Sequence, residues 1–167
     1  MALKKRKRLK KGIRNLLIII AIVIAGFVVY NVIFEIRIWC INRTELNDIS
    51  NVDKNSAEIF RKFVNEIENK TDWEVSIISG LRSKEEQIQL KRQNPQNAAS
   101  DKSRHVMGRA IDINLYKRSG LRRIWLKKAN SKSEWRRSGV PAIAEKFHLL
   151  WGGTYRNYHD PVHFEIH

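Results

Sequence analysis

Two short segments in the C-terminal part of the chain contain the residues best suited to chemistry. One carries His105 and ends at Asp112, and the other begins at Asp160 and carries His163. Two imidazoles and a carboxylate form the three-residue ligand set of a catalytic zinc site, in which the fourth position stays open for water. A structural zinc site would be closed and usually rich in cysteine, and this sequence has only Cys40. The residue types therefore predict a catalytic metal centre formed by His105, Asp112 and His163.

The sequence pattern around these residues predicts strands that would bring two of them together. Residues 110–115 alternate with a period of two, which is typical of a strand, and they place Asp112 on the face opposite its apolar neighbours. The segment that contains His163 alternates in the same way. Gly108 is predicted to mark a turn. Neighbouring strands would then present Asp112 and His163 to one ion, with His105 reaching in from the preceding loop.

These motifs resemble those of a known family, the zinc D,D-carboxypeptidases and L-alanyl-D-glutamate endopeptidases of peptidoglycan, which includes VanX- and VanY-type enzymes and phage endolysins. The resemblance covers roughly residues 55–167 and rests on several motifs in the expected order. They are Ser-x-His-x-x-Gly-x-Ala-x-Asp at 103–112, Ser-Gly-x-Arg-Ser at 79–83, Trp-Gly-Gly at 151–153 and Asp-x-x-His-Phe-Glu at 160–165. The two closing motifs are more similar to the endopeptidase branch than to the VanY branch.

The resemblance implies a fold, a cofactor and further site residues. The fold would be α+β, with a small antiparallel sheet flanked by helices, of the D,D-peptidase or hedgehog-like zinc type. The cofactor would be Zn²⁺, held by the three ligands named above. Asp160 matches the catalytic general base, Arg82 matches the arginine that holds the substrate or the developing oxyanion, and Ser103 matches a serine that orients the substrate. Without the resemblance, Arg82 reads as a surface arginine, and Asp160, which precedes a proline, reads as a turn former.

Length and charge limit the remaining possibilities. The chain has 167 residues, and residues 35–167 suffice for one compact domain with a core but not for a second catalytic domain. The formal net charge is +15, and eight basic residues lie before position 15 with no acidic residue among them. Residues 35–167 also carry more basic than acidic residues. This positive charge suits binding to a polyanionic surface such as the cell wall, and would also suit nucleic acid. A single cysteine excludes an intramolecular disulfide, and Cys40 is interpreted as an idle thiol, with a cross-link between two chains as the alternative.

Residues 16–34 are predicted to form a transmembrane anchor. They carry no charge, and as a helix they span close to the roughly 30 Å hydrocarbon layer. The basic tail, residues 1–15, should stay in the cytoplasm and direct the rest of the chain outward. A cleaved signal peptide is the alternative, but the apolar run is long and no clear small-x-small cleavage site follows it. The expected localisation is the cell membrane, as a single-pass protein with an extracytoplasmic domain.

The rest of the chain is interpreted as a juxtamembrane linker, residues 35–54, and a zinc peptidase domain, residues 55–167. The linker has a mixed composition in which Asn, Asp and Ser accumulate. The domain should contain a helix from Ser56 with one apolar face, a strand over 73–79, and a helix opening with the capping-box pattern at 83–86. A last helix is expected near 141–150, because proline is tolerated at a helix start.

Residues 116–137 are unusually basic and contain nine lysines or arginines with two interleaved tryptophans. Such a combination can bind single-stranded nucleic acid, which keeps a membrane-anchored nucleic-acid binder as one hypothesis. The plainer interpretation is a solvated amphipathic helix whose apolar residues, Leu121, Ile124, Trp125 and Leu126, pack inward. We favour that interpretation and expect no nucleic-acid partner.

The leading hypothesis is a membrane-anchored zinc metallopeptidase that hydrolyses peptide bonds in peptidoglycan stem peptides. It would be of the D-Ala-D-Ala carboxypeptidase or the L-Ala-D-Glu endopeptidase type. The alternative is a non-catalytic zinc-binding module that recognises cell-wall peptides or a protein partner. The presence of both Asp160 and Arg82 favours catalysis, because a binding module needs no base beside the metal.

Overall fold

The computed structural model describes the backbone of residues 2–167 and the side chains of residues 10–167. The chain divides into two compact units between Trp39 and Cys40. The first unit consists of the greater part of helix α1, Ala2–Val52, which is long and apolar enough to cross a membrane by length and composition. The basic side chains at positions 4–8, on which the expected cytoplasmic tail mainly depends, lie outside the described side chains.

The second unit, residues 40–167, combines one five-stranded antiparallel sheet with the end of α1, four further helices and one 3-10 turn. The predicted α+β fold with a small antiparallel sheet flanked by helices is therefore confirmed. In chain order the further elements are α2 (Lys54–Lys70), β1 (Glu74–Ser79), α3 (Lys84–Gln93), β2 (Ala110–Ser119), β3 (Arg122–Leu126), α4 (Lys132–Arg137), α5 (Val140–Lys146), β4 (Leu149–Trp151), the 3-10 turn (Gly152–Thr154) and β5 (His163–Ile166).

Strand β2 is the centre of the sheet. The strand order is β1-β2-β5-β4, and β3 pairs with β2 off this path. Strand β3 pairs with residues 115–119 of β2, whereas β5 pairs with residues 110–112 at its other end. Every pairing is antiparallel, and Asp112 lies directly opposite His163. The two strands that sequence alternation predicted are thus neighbours in the expected way.

Helix α2 supplies the largest apolar face beside the sheet. Its N-cap is Asp53, whose carboxylate accepts backbone hydrogen bonds from the first turn, so the helix begins two residues ahead of the expected Ser56. Phe63 is fully buried, and its ring contacts that of Phe164 in β5 with centroids 5.1 Å apart. Aromatic contacts of this kind add to the stabilisation from burial. The contact fixes β5, and with it the neighbouring His163, to the core.

The prediction of an amphipathic helix within residues 116–137 is wrong for most of that segment. Strand β2 instead passes into β3 through a tight turn at Gly120, where φ is +60°. Glycine adopts positive φ without steric cost, so the chain reverses here as a hairpin. Leu121 is 81% exposed and Ile124 is 44% exposed, which shows that neither packs inward as expected. Only α4, at the end of the segment, is helical.

The last expected helix, near 141–150, is shorter than predicted. Helix α5 ends at Lys146, and β4 begins only three residues later. His148 lies between them with φ at 56°, a left-handed conformation that ends the helix and redirects the chain into the sheet. Leu149, expected inside the helix, is a buried strand residue.

Residues 35–54 were expected to form a juxtamembrane linker, but in the structure they continue helix α1 as far as Val52. From residue 40 onward it belongs to the second unit, and Leu46 and Ile49 are buried in the core. The Asn42 side chain also pairs with the open edge of β1. Its Nδ2 donates to the Val75 carbonyl at 2.9 Å, and its Oδ1 accepts from the Ile77 N–H at 2.8 Å. An uncovered strand edge needs such partners, which gives this part of the chain a structural role.

Candidate metal centre and active site

Strands β2 and β5 hold Asp112 and His163 side by side, and the loop before β2 brings His105 to them. Asp112 Oδ1 lies 2.9 Å from His163 Nδ1 and 3.3 Å from His105 Nε2. These two ring nitrogens are 3.2 Å apart. Both imidazoles are buried, and the Asp112 side chain is 16% exposed. The structure therefore brings together the three residues that the sequence suggested as ligands.

The arrangement of these atoms fits a tetrahedral cation. With bonds of about 2.0–2.1 Å, as zinc forms with nitrogen and oxygen, two ligand atoms of a tetrahedral site lie about 3.3 Å apart. The three distances above are close to this value. Two imidazole nitrogens and one carboxylate oxygen also suit zinc and leave one position open. Among the described residues, no other group of three His, Cys, Asp or Glu side chains has ligand atoms that converge in this way.

Each imidazole is oriented by a partner on its far side. His105 Nδ1 lies 2.8 Å from the carbonyl oxygen of Gly80, and His163 Nε2 lies 3.1 Å from Glu165 Oε2. Such partners fix the tautomer and the ring orientation of a metal-binding histidine. We did not predict a role for Glu165 from the sequence. The two-residue period of a strand could have indicated this role, because it places His163 and Glu165 on the same face of β5.

The charges at this centre favour a cation. Burial disfavours protonated His163, but the hydrogen bonds and charges of Asp112 and Glu165 outweigh it and raise the pKa of His163 to about 9. Burial alone would raise the pKa of Asp112, yet the two imidazoles hold it below its ordinary value. Burial and the Glu165 charge raise the pKa of the Tyr155 phenol, which keeps it a neutral hydrogen-bonding partner of Glu165. A positive charge held between the ligands is therefore well stabilised.

Arg82 lies beside this centre, at the exit of β1. Its Nη1 donates to Gln87 Oε1 at 2.8 Å, and its Nη2 donates to Ser79 Oγ at 2.9 Å. Nη2 is also 3.6 Å from Asp112 Oδ2. Gln87 lies in α3, whose capping box forms as predicted. The role of Gln87 as a partner of Arg82 was not predicted. The guanidinium is thus held in place where it can meet a negative charge that develops beside the ligands.

A cavity of about 440 Å³ joins the predicted site residues. Asp160 lies on its wall and forms an ion pair with Lys128, whose Nζ is 3.0 Å from Asp160 Oδ1. Lys128 was not predicted, because in the sequence it is one of many basic residues. Ser103 also lines the cavity but is only 3% exposed. The wall contains all six candidates, Arg82, Ser103, His105, Asp112, Asp160 and His163.

Comparisons with known proteins agree with this geometry. Residues 96–166 match a family described as D-alanyl-D-alanine carboxypeptidase. Among solved structures, the chain is similar to the L-Ala D-Glu endopeptidase ChiX of Serratia marcescens, with a TM-score of 0.51 and 20% sequence identity, covering 72% of this chain and 84% of that one. A search of curated proteins found no match. The family match covers the part of the chain that carries five of the six candidate site residues, all except Arg82, and the similarity to ChiX shows a shared fold.

Proposed function

We propose that this chain is a membrane-anchored, zinc-dependent peptidase that hydrolyses peptide bonds in peptidoglycan stem peptides, at D-Ala-D-Ala or L-Ala-D-Glu. One observation carries the proposal. His105, Asp112 and His163 present three ligand atoms at most 3.3 Å apart, on the wall of a cavity that Arg82 and Asp160 also line. The family match and the fold support the same class of substrate.

The residues of the cavity suit peptide hydrolysis. Bound zinc would supply a Lewis acid and make hydroxide available near neutral pH. Asp160 is the proposed general base, which would accept a proton from the attacking water and return it to the leaving amine. Arg82 would stabilise the negative charge that develops on the carbonyl oxygen, and Ser103 would help to orient the substrate.

Helix α1 supports the proposed membrane anchor. Its described part from Lys10 onward meets the length and composition of a membrane-spanning helix. Basic residues precede the apolar run, and no acidic residue accompanies them. The positive-inside rule would then place residues 40–167 outside the cytoplasm, where peptidoglycan lies.

Mass spectrometry of muropeptides incubated with the purified full chain tests the proposal. We expect either loss of the terminal D-Ala or cleavage between L-Ala and D-Glu, abolished by a chelator and restored by added zinc. His105→Ala is the inactive control, because two remaining ligands should not hold zinc in a three-ligand site. A zinc-loaded chain that leaves both bonds intact would contradict the proposal and favour the non-catalytic binding module.

A further inference from the structure

The C-terminal part of helix α1 contacts the backbone that supports the metal centre. Glu45 Oε2 accepts a hydrogen bond from the backbone N–H of Gly80 at 2.7 Å. Glu45 is itself partly buried, and Leu46 and Ile49 on the same helix are packed in the core. The carboxylate is therefore held against Gly80 by the packing of its own helix.

The residues that follow β1 hold His105 at two points. The Gly80 carbonyl oxygen lies 2.8 Å from His105 Nδ1, and the Arg82 N–H donates to the His105 carbonyl at 3.3 Å. With Nδ1 bound in this way, His105 Nε2 points toward Asp112. The two peptide groups on either side of the Gly80 α-carbon thus connect Glu45 to the imidazole of His105.

The approach of α1 to Gly80 is close enough that a side chain at position 80 would force the Glu45 side chain to shift. A Cβ at position 80 would lie 2.9 Å from Glu45 Oε2 and 3.1 Å from Ile49 Cδ1. The first distance is shorter than real Cβ contacts, and the second is tighter than most of them. The position of Gly80 relative to α1 is therefore determined by packing and by a hydrogen bond.

We propose that Glu45 is a positioning residue for the metal ligand His105. The inference rests on the proposed metal site and extends it, because Glu45 lies far upstream of the matched residues 96–166. A carboxylate is a strong acceptor for a backbone N–H, so it restrains Gly80 and, through the Gly80 carbonyl, the direction of the His105 ring. Partners that orient a metal-binding histidine commonly change metal affinity by about ten- to a hundredfold.

Zinc affinity of the purified full chain, measured by competition with a chromophoric chelator, tests this role. Glu45→Ala removes the acceptor and is expected to weaken zinc binding about tenfold. Glu45→Gln keeps a side-chain oxygen acceptor and is expected to restore most of the lost affinity. Asp48→Ala removes an exposed carboxylate from the same helix and is the matched control, expected to leave zinc affinity unchanged.

A second measurement separates positioning from general stability. Asn42→Ala removes contacts between α1 and β1 without touching Gly80, so it should lower the thermal unfolding temperature but preserve the zinc affinity of the folded protein. Hydrogen exchange of the Gly80 amide should accelerate in Glu45→Ala. The nitrogen chemical shifts of the His105 ring, measured without metal, should change in Glu45→Ala and not in Asp48→Ala.

Each outcome bears on the proposal. Unchanged zinc affinity in folded Glu45→Ala overturns it, and so do equal losses of affinity in Glu45→Ala and Asn42→Ala. If Glu45→Ala does not fold, Glu45→Asp, which is shorter by one methylene, must show the same selective loss. Failure of the unsubstituted chain to bind zinc would instead contradict the proposed function itself.

Discussion

Lys128 Nζ lies 3.0 Å from Asp160 Oδ1, and this ion pair forms part of the wall of the proposed active-site cavity. Tyr158 supports the lysine, with its hydroxyl 3.1 Å from Nζ and its ring centroid 4.8 Å from it. Burial opposes the charged form of Lys128, but the bonds to Tyr158 and Asp160 outweigh it and raise the pKa of Lys128 above its ordinary value. The lysine therefore stays charged at neutral pH and restrains the carboxylate.

Removing this restraint should slow catalysis without removing metal. In Lys128→Met we expect kcat/KM on muropeptides to fall roughly ten- to a hundredfold, because a misplaced catalytic group is costly, while zinc content stays unchanged. Lys127→Met is the matched control, since the Lys127 ammonium lies over the Trp125 ring and does not line the cavity. Equal kcat/KM values for Lys128→Met and the unsubstituted chain would show that Asp160 needs no such partner.

Asp160→Asn distinguishes a base from a structural carboxylate. The amide preserves size but cannot accept the proton, so hydrolysis should fall by about two or more orders of magnitude. Zinc content and the unfolding temperature should be retained. Both are measured on the same sample as muropeptide cleavage. Loss of zinc together with activity would assign Asp160 to the support of a ligand, and unchanged cleavage would remove it from the mechanism.

Zinc binding should depend on pH through His163. The pKa of His163 is raised to about 9 when no metal is bound, so the imidazole is protonated at neutral pH and zinc must displace that proton. The apparent zinc affinity should therefore rise from pH 7 to about pH 9, approaching tenfold per pH unit for one proton, and level off above. Calorimetry in two buffers of different ionisation enthalpy measures the proton released. Zinc affinity that is constant over this range contradicts the expectation.

The contact between Phe63 and Phe164 should contribute strongly to stability. Phe63 is fully buried between the rings of Phe147 and Phe164, at centroid distances of 6.0 and 5.1 Å. Phe63→Ala should lower the free energy of unfolding by about 3–5 kcal/mol, measured by denaturant titration. Ile78→Ala, at a site 48% exposed, is the comparison and should have a much smaller effect. Similar losses in both variants would mean that Phe63 is not part of a tightly packed core.

The proposed topology can be tested with a reporter fused after His167. A reporter that is active only outside the cytoplasm should be active, because basic residues precede the apolar run of α1. A cytoplasmic reporter at the same position is the reciprocal control and should be silent. An active cytoplasmic reporter with a silent external one would place residues 40–167 in the cytoplasm, away from peptidoglycan, and would contradict the proposed topology.

Sequence periodicity was sufficient to predict the part of the candidate site that lies on strands. Alternation predicted the strands that carry Asp112 and His163, and the structure pairs these two residues directly. The capping box at the start of α3 was equally local and formed as predicted. These features depend on nearest neighbours along the chain, which the sequence shows directly.

The features that were missed depend on distant contacts. The 116–137 segment contains aromatic and basic residues that suit a helix or a hairpin equally, and the turn at Gly120 decides between them. Leu46 and Ile49 are buried because the end of α1 packs into the core of the second unit, a distant contact that composition does not show, so composition alone suggested a linker. The pair formed by Lys128 and Asp160 joins residues 32 positions apart, and no local pattern indicates it.

If α1 anchors the chain in a membrane as proposed, the position at which α1 enters the second unit determines how residues 40–167 could be released from it. A protease that cuts ahead of Cys40 would shed a unit that keeps Asn42, Glu45 and the buried residues of α1. A cut a few residues later would discard the hydrogen bonds to β1 and Gly80. Shedding and inactivation would thus differ by about two helical turns of the same helix.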